Sequence, residues 1–145
     1  MAEIVLKSAF VRLGSSAALV AVSTMVRSVN INYSVDLQDK TAMGSSGRAR
    51  IGGLKDWTVA IEFNQDYATT TIDGDFFTYL GSTGQFIAIR PTSGVRAAGN
   101  ADYVGTLGMI DSYTPINNAV GDLATFTMTW NCADGKPMQR VVVAT

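Results

Sequence analysis

The chain has no histidine, one cysteine and three prolines among its 145 residues, and its formal net charge is -1. Each scarcity removes a class of chemistry. Without imidazole there is no Ser-His-Asp triad, no Cys-His pair, no histidine general base and no histidine-containing zinc site. One thiol forms neither an internal disulfide nor a Cys-x-x-Cys site, which excludes a disulfide-stapled secreted scaffold. A net charge this close to zero is unlike the basic balance of a dedicated nucleic-acid binder. The longest apolar run, Ala17 to Val22, is far short of the roughly 20 residues a membrane-spanning helix needs. The opening MAEIVLKSAF lacks the basic stretch, apolar core and cleavage site of a secretory signal. The expectation is a soluble protein made in a cytoplasm, with no membrane anchor and no cofactor. At 47% hydrophobic residues the chain is not disordered throughout, and its length suits one domain spanning residues 1–145.

What is present is alternation with a period of two. In Ser28–Asp36, Val29, Ile31, Tyr33 and Val35 take one face, and Ser28, Asn30, Asn32, Ser34 and Asp36 the other. In Trp57–Asn64, Trp57, Val59, Ile61 and Phe63 oppose Thr58, Ala60, Glu62 and Asn64. In Thr125–Asn131, Phe126, Met128 and Trp130 alternate with Thr125, Thr127, Thr129 and Asn131. A half-buried strand sorts side chains in this way, whereas a helix scatters them. Further strands are expected at Ile4–Leu13 and Ala17–Ser23, as a hairpin around Gly14-Ser15-Ser16, and at Gln85–Arg90, stopped by Pro91. Two more are expected at Tyr103–Tyr113, where Gly105 and Gly108 suit bulges or close backbone approach, and at Met138–Ala144. One short helix is expected over about 73–80, with Asp73 as N-cap, Asp75 at its positive end, Phe76, Phe77 and Leu80 as an apolar stripe, and Gly81 closing it.

Between the first two alternating strands, Leu37 to Lys55 (LQDKTAMGSSGRARIGGLK) is rich in Gly, Ser and charge, and its apolar residues have no period. Most connections are about four to six residues long, so one this long implies a function or disorder. Pro91–Asp102 is a second loop of similar chemistry. Gly44-Ser45-Ser46-Gly47-Arg48 lacks the spacing of a phosphate-binding loop and leads into no helix. Asp36 and Asp39 have no second catalytic group beside them. Arg48 and Arg50 share a face of an extended segment, and with Asp39 and Asp56 they suit salt bridges across an interface. Cys132 reads as a small half-buried side chain. The polar faces of the first two alternating strands admit two readings: an ordinary water-facing sheet, or the lining of a water-filled channel. A channel that passes DNA must avoid basic side chains, because each phosphate contact adds affinity.

The order of motifs resembles a known family. Gly47, Arg48, Arg50, Ile51, Gly53, Leu54, Lys55, Asp56 and Trp57 lead into the second strand. Phe63-Asn64-Gln65-Asp66-Tyr67, Ile89-Arg90-Pro91-Thr92, Tyr103-Val104-Gly105, Ser112-Tyr113-Thr114-Pro115 and Val120-Gly121-Asp122-Leu123-Ala124 follow. From about Val26 to Trp130 the chain resembles the major tail tube protein of long, non-contractile-tailed bacteriophages.

The resemblance implies a mainly β fold, a β-sandwich or split β-barrel with one flanking helix and a long loop between its two central strands. It implies hexameric rings that stack into a hollow tube for DNA, with tape measure, terminator and distal tail proteins as further partners and the virion tail as location. The loop would make neighbour and ring–ring contacts, through Asp39, Lys40, Met43, Arg48, Arg50, Lys55 and Asp56. The lumen candidates are Ser28, Asn30, Asn32, Ser34, Glu62 and Asn64. The immunoglobulin-like C-terminal domain of many relatives is expected to be absent, and so is enzymatic activity. The rival expectations are a tail terminator, a capsid decoration protein, or a β-sandwich carbohydrate-binding module. The last would need exposed aromatics, whereas Trp57 and Trp130 sit within apolar alternations.

Overall fold

Strands form where the period-two pattern is clean, because each then buries one face and hydrates the other. The structure, a computed structural model, describes residues 6–7, 9–15, 18–67, 72–81, 85–133 and 135–142. The elements run β1 (Phe10–Ser15), β2 (Ala18–Ala21), β3 (Val26–Asp39), β4 (Arg50–Asn64), α1 (Ile72–Tyr79), β5 (Gln85–Arg90), β6 (Asp102–Ile110), β7 (Thr125–Cys132) and β8 (Gln139–Val141). The fold is mainly β with one short helix, as expected. The strands hydrogen-bond in the order β2-β1-β5-β6-β7-β4-β3, every pairing antiparallel, and β8 adds to β6. The sheet is not closed into a barrel, since β2 and β3 end the path.

A narrow junction lets this open sheet serve one core. β6 and β7 share only three residue pairs, Gly108↔Cys132 to Ile110↔Trp130, whereas β7 and β4 share seven, Thr58↔Asn131 to Asn64↔Thr125. Val11 and Leu13 of β1, Ile87 and Ile89 of β5, the inward residues of β4 and those of β7 all join a single apolar cluster. Trp57 on β4 reaches across to β6 and covers Gly105. The close approach expected at Gly105 is therefore present, and the register shift between Gln85 and Ile87, opposite Gly108 and Gly105, supplies an irregularity as well.

The helix caps the cluster with one residue. Phe76 is buried and sets its ring edge-on to Phe63, Phe126 and Trp130 at 5.2, 5.8 and 5.8 Å. Two expectations need correction. Phe77 and Leu80 face outward, because Tyr79 takes the inner position and Leu80 lies past the helix end, bridged to Ile110. Asp73 is no N-cap: it stands inside the first turn, and its Oδ1 accepts the Tyr113 hydroxyl at 2.7 Å. Burial, helped by that bond to Asp73, pushes the Tyr113 phenol up to about 12, so it remains a donor far above neutral pH. Gly81 does close the helix in the left-handed region, at φ 73°.

Three further expectations change. The first strand starts at Phe10, with Leu6, Lys7 and Ala9 outside it; Ile4 and Val5 lie outside the described residues, as do Ser16 and Ala17 of the first hairpin and Val143 and Ala144 of the last strand. The strand beginning near Ser28 is not central, because β3 ends the sheet. Finally, 37–55 is not a long loop. β3 runs on to Asp39 and β4 begins at Arg50, so only residues 40–49 connect them.

Candidate functional site

Two surfaces emerge from this register. The first is a polar sheet face. Ser28 stands opposite Glu62, Asn30 opposite Ala60, Asn32 opposite Thr58 and Ser34 opposite Asp56. β7 continues the rows with Asn131, Thr129, Thr127 and Thr125 beside Thr58, Ala60, Glu62 and Asn64. Opposed residues share a face, so the six lumen candidates all fall on one surface. Ser28, Asn30, Asn32 and Ser34 are exposed, and Glu62 and Asn64 half-buried. The third row, Thr125, Thr127, Thr129 and Asn131, alternates in the sequence, but only the strand pairing sets it beside β4. The charge on this face is mostly acidic: Asp56 is exposed, and Glu62 accepts a hydrogen bond from Arg27 Nη1 at 3.2 Å.

The second surface is an arm. β7 leaves β4 at Thr58, so Arg50–Asp56 and their partners on β3 continue as a two-stranded ribbon beyond the rest of the sheet. Six residue steps from Asp56 to Arg50 reach about 20 Å. Between Val35 and Leu37 the register shifts: Val35 faces Lys55, but Leu37 faces Gly52 and Gln38 faces Ile51. The additional residue on β4 reverses its parity. Leu37 and Ile51 therefore point to opposite sides of the ribbon, and both are exposed, with Leu54 84% exposed in the irregular stretch. At the tip Met43 is fully exposed.

Two of the arm's charges pair within the hairpin: Arg48 Nη1 meets Asp39 Oδ2 at 3.0 Å and braces the tip, with both side chains still exposed. Hydrogen bonds from the Thr41 side chain and backbone, with Arg48 adding less, hold the Asp39 carboxyl below its ordinary value. Asp36 is separately occupied, accepting Gln38 Nε2 at 2.8 Å. Lys40, Arg50, Lys55 and Asp56 are exposed and make no ion pair among the described residues.

Exposed apolar side chains also gather at the other end of the sheet. The segment between β6 and β7 carries Ile116, Val120 and Leu123, at 81%, 107% and 65% exposure. It enters β7 at Thr125, beside Asn64, whereas the arm leaves from the opposite end of β4. Trp57 and Trp130, each 1% exposed, provide no sugar-stacking platform. Cys132 is half-buried, its thiol directed at the Lys136 carbonyl at 3.4 Å.

No family model and no curated protein matches the chain. Solved structures do. A chain from the tail of an empty gene transfer agent particle, obtained by helical refinement with C6 symmetry, aligns with a TM-score of 0.68 at 14% identity, covering 91% of this chain and 94% of that one. A chain from the virion of a native gene transfer agent particle aligns with a TM-score of 0.66 at 14% identity, covering 92% and 95%. Across nearly its whole length, the chain shares its fold with components of these particles.

Proposed function

We propose that this protein is a structural subunit of a phage-like tail, polymerising as stacked rings into a hollow tube through which DNA passes. The observation that carries this is the arm: a ribbon projecting beyond the sheet with exposed apolar side chains on both faces. A monomer gains nothing from holding Leu37, Ile51 and Leu54 in water, and large exposed apolar surface marks an interaction site. An apolar arm at one end and an apolar segment at the other make a head-to-tail interface, which repeats without limit. The fold shared with the gene transfer agent tail supports the same role, and the C6 symmetry of that tail supports six subunits per ring.

Ring closure meets two physical needs. β3 is a long open edge of 14 residues, a hazard for uncontrolled pairing unless a fixed partner covers it. One such sheet is also too small to enclose duplex DNA, since barrel diameter grows with strand number. The polar rows of β3, β4 and β7 suit the lumen: they offer hydroxyls, amides and carboxylates, with Arg27 already engaged by Glu62, so phosphates find few cations to hold them. Lys40, Arg50, Lys55 and Asp56 are the arm charges left for neighbouring subunits.

Lumen placement has a direct test. In a Cys132→Ser background, Asn30→Cys and Thr127→Cys should react with small and bulky maleimides in the monomer. After assembly, the small reagent should still react while a polymer-linked maleimide is strongly retarded. Undiminished labelling of tubes by the bulky reagent would put this face on the exterior, and loss of labelling by both would bury it between subunits.

A further inference from the structure

Three arginines converge on one buried carboxylate where β1, β5 and β6 meet. Asp102 is 1% exposed; its Oδ2 accepts from Arg12 Nη2 at 3.1 Å and Arg96 Nη1 at 3.2 Å, and its Oδ1 lies 3.5 Å from Arg90 Nε. The register explains the convergence. Val11, Leu13, Ile87 and Ile89 turn into the core, so Arg12 and Arg90 leave by the other face. The Phe10 ring lies beneath both guanidinium carbons, at 5.5 and 4.8 Å. Arg96 comes from the connection between β5 and β6, which is pinned by Asn100: its Oδ1 accepts from Thr92 N at 3.1 Å, and its Nδ2 donates to the Val95 carbonyl at 3.2 Å.

Among the described residues the charges do not balance. Arg12 and Arg90 alone outnumber the carboxylate; the Arg12 Nε is buried with no hydrogen-bond acceptor among those residues, and the Arg90 Nε has only the long ion pair to Asp102 Oδ1. Such donors are costly to leave unmet, and like charges repel more strongly when partly withdrawn from water. The cluster opens into a pocket of about 350 Å³ walled by Arg12, Arg90, Arg96 and Asp102 with Ser93, Gly94 and Val95. We propose that this pocket binds a tetrahedral oxyanion, of which inorganic phosphate is the simplest. Planar guanidinium forks match such an anion with parallel charge-assisted bonds. Asp102 holds the forks in place and limits their repulsion while the pocket is empty. The inference is independent of tube formation.

The test is calorimetric titration of the 145-residue chain as monomer with inorganic phosphate at constant ionic strength, with acetate as the comparison anion and thermal melting in parallel. Saturable binding of one phosphate per chain is expected, with a Tm that climbs with ligand concentration. Arg90→Gln should weaken binding at least about tenfold. Because that change disturbs the Asp102 cluster, Ser93→Asp serves as the second variant: Ser93 is exposed on the pocket wall, so its carboxylate should relieve the arginines' repulsion, giving a Tm without phosphate at or above wild type while phosphate binding is lost. Non-saturable heats, acetate binding as tightly as phosphate, or undiminished binding by Ser93→Asp would each overturn the proposal.

Discussion

Replacing Leu37, Ile51 and Leu54 together by Asp is expected to abolish tube formation while leaving the monomer folded. The three side chains are 57%, 55% and 84% exposed, and exposed substitutions of this kind change stability by only about 0.5 kcal/mol each. Assembly is another matter. Burying a large aliphatic side chain contributes about 1.5–3 kcal/mol, and the variant both removes three and adds charges that must be desolvated. A loss of more than about 4 kcal/mol corresponds to a critical concentration raised roughly a thousandfold or more. Sedimentation velocity and thermal melting separate the two effects. Polymer at the wild-type critical concentration would exclude the arm from the interface, whereas a collapsed Tm would make it part of the monomer's own core.

Gly105→Ala is expected to be the most damaging single methyl in the molecule. A Cβ there would lie 2.5, 2.7 and 2.9 Å from Trp57 Cη2, Cζ2 and Cζ3, well inside van der Waals contact. The indole has nowhere to go: Trp57 is 1% exposed, and its Nε1 donates to the Lys136 carbonyl at 3.3 Å. Relief requires β6 to move away from β4, and that movement would open the core the two halves of the sheet share. Overpacking costs about 1–3 kcal/mol and sometimes more; with backbone on one side and a pinned ring on the other, about 3 kcal/mol is expected. For a domain of this size that lowers Tm by roughly 10 °C. Retention of the wild-type Tm would mean that Trp57 does not cover Gly105.

The sequence displayed these features unevenly, for physical reasons. Val59–Phe63 and Phe126–Trp130 announce themselves because one face is buried and the other wet, which enforces a strict period. Glycines 105 and 108 were legible as places where a side chain has no room. The arm was not legible as strand, because its parity reverses near Val35 and Leu37 and neither face of the ribbon is buried within the monomer. A period appears only where the chain's own core demands it. The helix stripe failed for a local reason: the helix ends at Tyr79, so Leu80 follows a different geometry. The Asp102 cluster was invisible because residues 12, 90, 96 and 102 meet only through the pairing of β1, β5 and β6. Of the candidate surfaces, the polar face could be read in two of its three strands; the third is joined to it only through the pairing of β4 with β7.

If the proposed function is right, this chain alone polymerises into a hollow tube. The most direct test is negative-stain electron microscopy of the purified wild-type protein, concentrated well above the level at which it sediments as a monomer. Long tubes of uniform width are expected, with a stain-filled channel and, under the proposed ring of six, sixfold rings in end view. Isolated rings that never stack, or monomers at every concentration reached, would contradict the proposed function.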